Sequence, residues 1–263
     1  MFSYQFAQNA LIGILLITPL LGLYSTVVVS NKMAFFADGL GHSAFTGIAI
    51  GLILNLPYSM AILVVFSIIF ALLMVYIRQR NNAHMDSVIG VLSSTAIAIG
   101  LIIMSRGGGF SKYSNFLIGD LIAIGQSELK IIAIILIAAT LAFCLLFNSL
   151  ILGGIGSNWT LNKKISAKTA EIYFAIILAV VVAVSIRWVG ILLINSLLVL
   201  PAATSRLIAK NAKQYVWLSI LFSILAGIIG LVASLYWNTS AGATICLILA
   251  FLYFILSFFR KNN

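Results

Sequence analysis

Two side chains that could bind a cation lie four residues apart near the start of the chain. Asp38 and His42 occur within the stretch AFFADGLGHSAFTGIAIG. This spacing places both on one face of a helix, one turn apart, and Thr46 is expected to extend that face by a further turn. A carboxylate oxygen and a neutral imidazole nitrogen suit a divalent first-row metal. The pair therefore predicts a metal site, and two ligands are too few for a closed structural one.

The segments that must position this pair are apolar throughout. Of the 263 residues, 63% are apolar and 8% are charged, whereas about a quarter of the residues of a soluble domain are charged. A soluble globular protein is therefore excluded, and so is a disordered chain, which needs low hydrophobicity. Runs such as Ala61–Ile77 are continuously apolar, unlike the alternating strands of a membrane barrel. The predicted fold class is all-α, a polytopic transmembrane helix bundle.

The apolar runs predict about eight or nine membrane-crossing helices of roughly 20 residues each, forming one transmembrane domain over residues 1–263. The run after Val189 is too short to cross before Pro201, so a broken segment is expected near that proline. No basic region precedes the first run, which we interpret as a retained helix and not as a cleaved signal peptide. The runs are Ala10–Val29, Ala34–Leu56, Tyr58–Ile77, Val88–Met104, Lys130–Leu152, Glu171–Ile186, Val189–Leu200, Val216–Trp237 and Thr244–Phe259.

Positive charge indicates the cytoplasmic side of the bundle. The formal net charge is +10, and Lys and Arg concentrate in cytoplasmic loops of membrane proteins. The basic clusters lie at 78–80, 163–168, 206–213 and 260–261, whereas the links 55–58 and 238–243 carry no charge. The concentration of Lys and Arg in cytoplasmic loops thus accounts for the positive net charge, and no nucleic-acid partner is expected.

Small residues accompany the Asp38–His42 pair at four-residue spacing. Such faces let helices approach closely in lipid, so this helix is expected to be buried in the bundle with its polar face toward a neighbour or a polar path. The alternative to a metal site is a purely structural role for the pair, in which Asp38 lies near the lipid headgroups and His42 hydrogen-bonds a neighbouring carbonyl. The small residues are Gly39, Ser43, Gly47 and Gly51.

Other polar or reactive side chains in apolar surroundings are few. We expect Asp120 to cap a short helix, with a place beside a polar path as the alternative. Glu128 is expected to be a solvated helix end, and Asn195 to hydrogen-bond across helices. Cys144 and Cys246 both lie inside apolar runs and are interpreted as small core residues, not as a disulfide or a metal site.

The sequence carries no recognisable enzyme motif. The glycines at 107–109 precede Ser111 and Lys112 but lack the spacing of a phosphate-binding loop. An intramembrane hydrolase would need clustered acid, base or metal ligands, and neither HExxH nor a paired intramembrane Asp motif occurs. We therefore expect that the chain is not an enzyme and that it hydrolyses no ATP itself.

Five segments, in order along the chain, resemble those of the permease subunit of ABC-type zinc, manganese and iron importers, the ABC-3 family. In this family a basic-Met pair precedes an Asp, with a His four residues on, and a later helix ends in a turn like Pro-Ala-Ala-Thr-Ala. The matching segments are NKMAFFADGLGHSAFTGIAIG, MDSVIGVLSSTAIAIGLIIMS, FLIGDLIAIG, VGILLINSLLVLPAATSRLIA and NTSAGATICLILA.

The resemblance implies a multi-pass protein of the bacterial cytoplasmic (inner) membrane. It implies a homodimer or a pseudo-dimer of permease subunits that encloses a pathway through the lipid bilayer. It also implies two cytoplasmic ABC ATPase subunits and an extracytoplasmic metal-binding protein. No cofactor is expected to be permanently bound, because the divalent metal is the cargo. Asp38 and His42 fall on the pathway Asp and His of the family. Zinc is the first choice of cargo, and manganese or iron is the alternative.

This sequence departs from the family pattern at three places. Ser93, Ser94 and Thr95 stand where some zinc-type members carry a further His, which leaves Ser94 as a candidate ligand and keeps manganese and iron open. Asn31 and Lys32 keep one charge of the family's basic pair. The predicted ATPase contact lacks the family's acidic, alanine-rich pattern; it consists of Asn162, Lys163, Lys164, Ser166 and Lys168.

A self-contained secondary cation transporter is the competing function. Many such carriers show inverted repeats with paired broken helices. The sequence suggests one broken segment, near Pro201, and no convincing second copy. The pattern therefore favours the ATP-driven importer.

Overall fold

A computed structural model describes residues 4–53, 59–80, 85–106, 116–121, 123–155 and 167–260. This part of the chain folds into a bundle of long helices. Seven of them are long and apolar enough to cross a membrane, and the other two long helices, α2 and α7, carry the polar residues discussed below. The predicted all-α polytopic bundle is confirmed. The helices are α1 Gln5–Ser30, α2 Ala34–Ile53, α3 Ser59–Arg80, α4 Met85–Arg106, α5 Gln126–Ile155, α6 Ala167–Val189, α7 Ile191–Ile208, α8 Ala212–Trp237 and α9 Ala241–Arg260.

Helices α1 and α6 form the interior of the bundle. Inside the folded chain, 67% of each of these two spans is buried, against 33% or less for the other five spans. Tyr24 of α1 stacks on Phe174 of α6 with ring centroids 5.6 Å apart. Its hydroxyl donates a hydrogen bond of 2.9 Å to the carbonyl of Ala139 on α5. A buried aromatic ring with a satisfied hydroxyl thus holds three helices together.

Serine hydroxyls and a glycine join α8 to α1. Ser219 and Ser223 donate hydrogen bonds of 2.7 Å to the carbonyls of Gly22 and Thr18. A Cβ atom on Gly22 would lie 2.8 Å from the Ser223 Cβ. In lipid, close approach of small residues and interhelical hydrogen bonds replace the hydrophobic driving force. The serines of α8 therefore fix this helix against the interior.

The outer surface of the bundle is apolar. Exposed aliphatic and aromatic side chains cover the outward faces of α3, α4, α5 and α9, as a hydrocarbon surrounding requires. Examples are Val65, Val91, Ile134, Leu145 and Phe251, each more than half exposed in the single chain.

The helix break expected near Pro201 lies elsewhere. Helix α7 continues from Ile191 to Ile208 with Pro201 inside it, and the chain is interrupted at Gly190, where φ is 92°. Proline removes one backbone donor. Close to it, the Thr204 and Ser205 hydroxyls bond to main-chain carbonyls one turn back. Neither hydroxyl bonds to the Leu197 carbonyl, which Pro201 leaves without its helical donor, and membrane helices tolerate such a proline where packing supports the backbone.

Helix α2 is held between α3 and α4 on one side and α7 on the other. The predicted small-residue face is buried, as expected. A Cβ on Gly39 would lie 2.8 Å from the Ser93 Oγ of α4, and one on Gly47 would lie 3.2 Å from Leu63 Cδ1 of α3. Glycine at these positions allows the close packing that turns the face carrying Asp38 toward α7.

Candidate metal site

Asp38 and His42 lie side by side on α2. The Asp38 Oδ1 and His42 Nε2 atoms are 3.5 Å apart, and their side chains are 40% and 33% exposed in the single chain. Zinc binds oxygen and nitrogen ligands at about 2.1 Å, so two ligands of one tetrahedral ion are about 3.4 Å apart. The shared face predicted from the spacing is confirmed, and the two atoms are already separated as ligands of one cation would be.

A cavity of about 320 Å³ opens beside Asp38, between α2 and α7. Its polar lining comes from Asp38, Asn195 and Ser196, and its apolar lining from Ala34, Phe35, Val199 and Leu200. The volume is sufficient for a hydrated ion or several waters. The carboxylate of α2 therefore faces an accessible polar space and not a sealed core.

Asn195 lines this cavity, although the sequence pattern did not assign it to the site. It was expected to hydrogen-bond across helices, but its buried Oδ1 has no hydrogen-bond partner among the described residues. A buried acceptor without a partner costs about 1–3 kcal/mol, so such atoms call for an explanation. Asn195 lines the same cavity as Asp38, and its buried Oδ1 would become a third ligand atom only if the amide turned toward the cavity. An amide within an apolar run was the signal, and only the packing of α7 on α2 shows its direction.

Thr46 does not belong to the polar face, contrary to expectation. Its side chain is buried, and its hydroxyl donates to the Ala96 carbonyl of α4. At 3.6 residues per turn, each step of four residues rotates the side chain by about 40° relative to the preceding one. Two steps from Asp38 are enough to turn Thr46 toward the neighbouring helix.

Ser94 of α4 is exposed and is not among the residues lining the Asp38 cavity. Ser93, its neighbour, is the serine that packs against α2 near Gly39. The Ser93 Oγ is buried without a hydrogen-bond partner in the described part of the chain. The single chain thus does not bring Ser94 to Asp38.

The sequence predicted that Glu128 would be a solvated helix end, and this prediction is wrong. Its Oε1 lies 2.5 Å from Arg187 Nη1 of α6. Its Oε2 accepts hydrogen bonds from the Trp188 Nε1, at 3.4 Å, and from the Gly125 backbone N–H, at 3.2 Å. The sequence separation of about 60 residues conceals this arrangement, which connects the start of α5 to the end of α6.

Asp120 and the cysteines also differ in part from expectation. Asp120 Oδ1 accepts from the Ala123 backbone N–H at 3.1 Å, which closes a turn before α5 and does not cap a helix. Cys246 is buried, as expected of a small core residue, whereas Cys144 is exposed on α5. Neither Asp120 nor the cysteines line the Asp38 cavity.

Of the predicted ATPase contact, only Lys168 lies in the described residues. It is exposed in the first turn of α6, and its carbonyl accepts a hydrogen bond of 3.3 Å from Gln79 Nε2 of α3. Residues Asn162, Lys163, Lys164 and Ser166 lie outside the described part of the chain.

Within the described residues, no group of three or more His, Cys, Asp or Glu side chains could hold a metal ion. Among the described residues, the ligands at this cavity are therefore one carboxylate and the adjacent imidazole, with the Asn195 amide in the wall. Such an incomplete and partly exposed set favours weak, reversible binding, since closed structural zinc sites have four protein ligands.

Comparisons with known proteins give a consistent result. The family model described as "ABC 3 transport family" matches residues 3–260. The chain is 33% identical to the high-affinity zinc uptake system membrane protein ZnuB of Haemophilus influenzae over 251 residues, 94% of either chain. It is 26% identical to the manganese import system permease protein ScaB of Streptococcus parasanguinis over 266 residues, 99% of this chain and 94% of the relative.

A solved structure is similar over nearly the whole chain. It is described as PsaBC from Streptococcus pneumoniae in complex with Fab, and it matches with a TM-score of 0.84 and 25% sequence identity. The match covers 96% of this chain and 91% of the other. The similarity therefore includes both helices that line the cavity.

Proposed function

The chain belongs to the ABC 3 transport family, and on that premise we propose that it is the permease subunit of an ATP-driven importer with zinc as its cargo. It is a multi-pass bacterial membrane protein that acts as a transport subunit and not as an enzyme. In this proposal residues 1–263 form one permease domain. The family membership favours this function over a self-contained secondary transporter.

The observation that carries the proposal is the pairing of Asp38 with His42 beside the cavity between α2 and α7. Their ligand atoms are 3.5 Å apart, which suits a shared divalent ion. Asn195 lies in the opposite wall of the cavity, and its amide oxygen would supply a neutral ligand on turning toward the ion. Transport requires release of the cargo, so a pathway site should be weaker and less complete than a structural one.

The ligand set leads us to propose a homodimer. Both members of the Asp38–His42 pair are partly exposed in the single chain, and a tetrahedral ion requires four ligands. Two copies related by a twofold axis would supply two carboxylates and two imidazoles facing a shared path. A pathway between two copies also explains why the polar residues of α2 are not enclosed by their own bundle.

The remaining partners follow from the family. Cytoplasmic ABC ATPase subunits would contact the segment that contains Asn162, Lys163, Lys164, Ser166 and Lys168, immediately before and within the first turn of α6. An extracytoplasmic binding protein would deliver the metal to the opposite side. Lys168 supports the first assignment, because it is exposed at the basic end of the bundle, which is the end where α3 and α7 terminate, α6 and α8 begin, and the basic residues 78–80, 168 and 206–213 lie.

Zinc is proposed over manganese and iron on the degree of similarity. Identity to the zinc-uptake relative is 33%, against 26% for the manganese-import relative. The imidazole of His42 also suits zinc, whereas manganese prefers oxygen ligands. The serines at 93 and 94 argue in the other direction, since some zinc-type members carry a His there.

Whole-cell elemental content tests the proposal. A strain lacking the gene and any redundant zinc, manganese or iron importer is grown under metal limitation, with a plasmid copy as the control. A selective fall in zinc that the plasmid restores is the expected result. A selective fall in manganese or iron would keep the permease assignment and overturn zinc. Unchanged content of all three metals would overturn metal import.

A further inference from the structure

A second cavity, of about 270 Å³, lies at the basic end of the bundle. It is formed where the end of α1 meets the link between α7 and α8. Its lining combines two cations with hydroxyl and amide groups and contains no carboxylate. The lining residues are Ser30, Arg206, Ala209, Lys210, Asn211, Ala212 and Tyr215.

The two cations of this cavity have no carboxylate partner among the described residues. The ion pairs there join Glu171 to Arg78 and Glu128 to Arg187, and Asp38 lies beside His42. The whole chain has only five Asp and Glu residues against fifteen Lys and Arg. Arg206 and Lys210 therefore present uncompensated positive charge to whatever occupies the cavity.

The N-terminus of α8 adds further positive potential. Asn211 caps this helix by accepting a hydrogen bond of 2.8 Å from the Gln214 backbone N–H. Asn211 and Ala212 both line the cavity, so the positive end of the helix dipole faces it. The Tyr215 hydroxyl, which donates to the Thr26 carbonyl at 3.4 Å, fixes the cavity wall formed by α1 and α8.

Two tryptophans of α8 indicate the depth of this cavity in the membrane. Trp217 and Trp237 are 65% and 67% exposed, and they lie about 30 Å apart along the helix axis. That distance equals the hydrocarbon thickness of a bilayer, and tryptophan concentrates at both interfaces. Trp217 therefore marks the interface at the basic end. Arg206 and Lys210 lie just beyond it, at the level of lipid headgroups.

We propose that this cavity binds the phosphate of an anionic lipid headgroup in the cytoplasmic leaflet. Two unpaired cations and a helix N-terminus provide the charge that a phosphate requires. Basic pockets between membrane helices on the cytoplasmic side are suited to anionic headgroups. A lipid bound here would link the ends of α1 and α7 to the start of α8, at the face where cytoplasmic partners would act.

Native mass spectrometry of the full-length protein tests this proposal. The protein in detergent is titrated with phosphatidylglycerol or with zwitterionic phosphatidylcholine, and retained lipid is counted. Each basic residue near an anionic surface contributes about fivefold in affinity, so two contribute about thirtyfold. We expect phosphatidylglycerol to be retained preferentially by the wild type. The double variant R206Q/K210Q should lose most of that preference.

Lys213→Gln is the matched control for the single variant Lys210→Gln. Each removes one unit of charge from the same exposed cluster, but only Lys210 lines the cavity. A loss of lipid preference in K213Q equal to that in K210Q would overturn the site and leave only diffuse surface charge. Displacement of phosphatidylglycerol by millimolar inorganic phosphate would instead indicate a free-anion site. Retained lipid preference in R206Q/K210Q, together with lost association of the ATPase partner, would assign the surface to a protein and also overturn the proposal.

Discussion

The Arg78 Nη1 atom of α3 lies 2.8 Å from the Glu171 Oε1 atom of α6, and both side chains are largely buried. Arg78 also donates from Nη2 to the Asn31 carbonyl at 3.4 Å. One guanidinium therefore connects α6 to the turn that precedes α2, the helix that carries Asp38. Lys168, in the proposed ATPase contact, lies one turn before Glu171 on the same helix.

Replacing Arg78 by Gln should destabilise the protein and reduce transport. Loss of the guanidinium leaves the partly buried Glu171 carboxylate unpaired, which costs about 1–3 kcal/mol. We expect the Tm of the detergent-solubilised protein to fall by several degrees. The double variant R78Q/E171Q should recover part of this loss, because it leaves no unpaired charge.

Arg80→Gln is the control for Arg78. It lies on the same helix and bonds to the exposed Tyr76 hydroxyl, so the same loss of charge should change the Tm little. Equal Tm values for R78Q and R80Q would show that the pair with Glu171 contributes nothing measurable.

His42→Ala should abolish metal uptake without removing the protein from the membrane. The substitution deletes the imidazole next to Asp38, and the His42 side chain is 33% exposed in the single chain, so the bundle should still assemble. Asp38→Asn, which keeps the shape but loses the charge, should reduce uptake at least tenfold. Uptake of radioactive zinc by cells and immunoblots of the membrane fraction are the two measurements. Normal uptake by H42A would remove this residue from the mechanism.

Ser94→Ala tests the candidate ligand that the single chain does not bring to the site. Because Ser94 is exposed and absent from the cavity lining, we expect zinc uptake within about twofold of the wild type, in line with a typical surface substitution. A loss of uptake similar to that of H42A would mean that a second copy of the chain brings Ser94 into the pathway. Ser93→Ala, at the buried neighbour, separates an effect of packing from one of ligation.

The sequence predicts the bundle well because hydropathy alone selects the spans. It also predicts the Asp38–His42 face correctly, since helical geometry over one turn is nearly independent of tertiary structure. Over two turns the four-residue spacing no longer predicts a shared face, because the accumulated rotation of the side chains around the helix axis places Thr46 against α4. Metal binding by the pair itself remains a prediction.

Contacts between segments that are distant in sequence explain the features that the sequence pattern did not predict. Glu128 resembles a solvated residue until Arg187 and Trp188 are brought to it by α6. Pro201 resembles a helix breaker, but the helix is interrupted at Gly190, where φ is positive. Asn195 becomes part of the candidate site only because α7 packs on α2. Each of these three features depends on a neighbouring segment that is distant in sequence. Such a neighbour cannot be inferred from the local sequence pattern.

Asn195→Leu should separate function from stability. The substitution removes a buried oxygen without a partner and keeps the side-chain volume similar, so the Tm should remain equal or rise. Zinc uptake should fall severalfold, because the wall of the cavity loses the amide that lies opposite Asp38. Asn9→Leu is the control, since the Asn9 Nδ2 donates to the Ile124 carbonyl at 3.1 Å; it should lower the Tm. A lower Tm with normal uptake in N195L would give Asn195 a structural role.

Gly190→Ala should disrupt the link between α6 and α7. Gly190 has φ 92° and ψ 151°, a region that only glycine adopts readily. A Cβ there would lie 2.5 Å from the Ile118 carbonyl carbon, so backbone would have to shift at the entrance of α7, the helix that carries Asn195. Together the strain and the clash should cost at least about 2–3 kcal/mol.

Gly90→Ala is the opposite case on α4, because a Cβ there would meet nothing within 4 Å. Alanine favours a helix over glycine by about 1 kcal/mol, so G90A should be neutral or stabilising. Size-exclusion profiles and Tm values of the two variants, purified in parallel, provide the comparison. If G190A matched G90A in both measurements, the backbone at the α6–α7 link would be free to relax, and the position of Asn195 beside Asp38 could not depend on it.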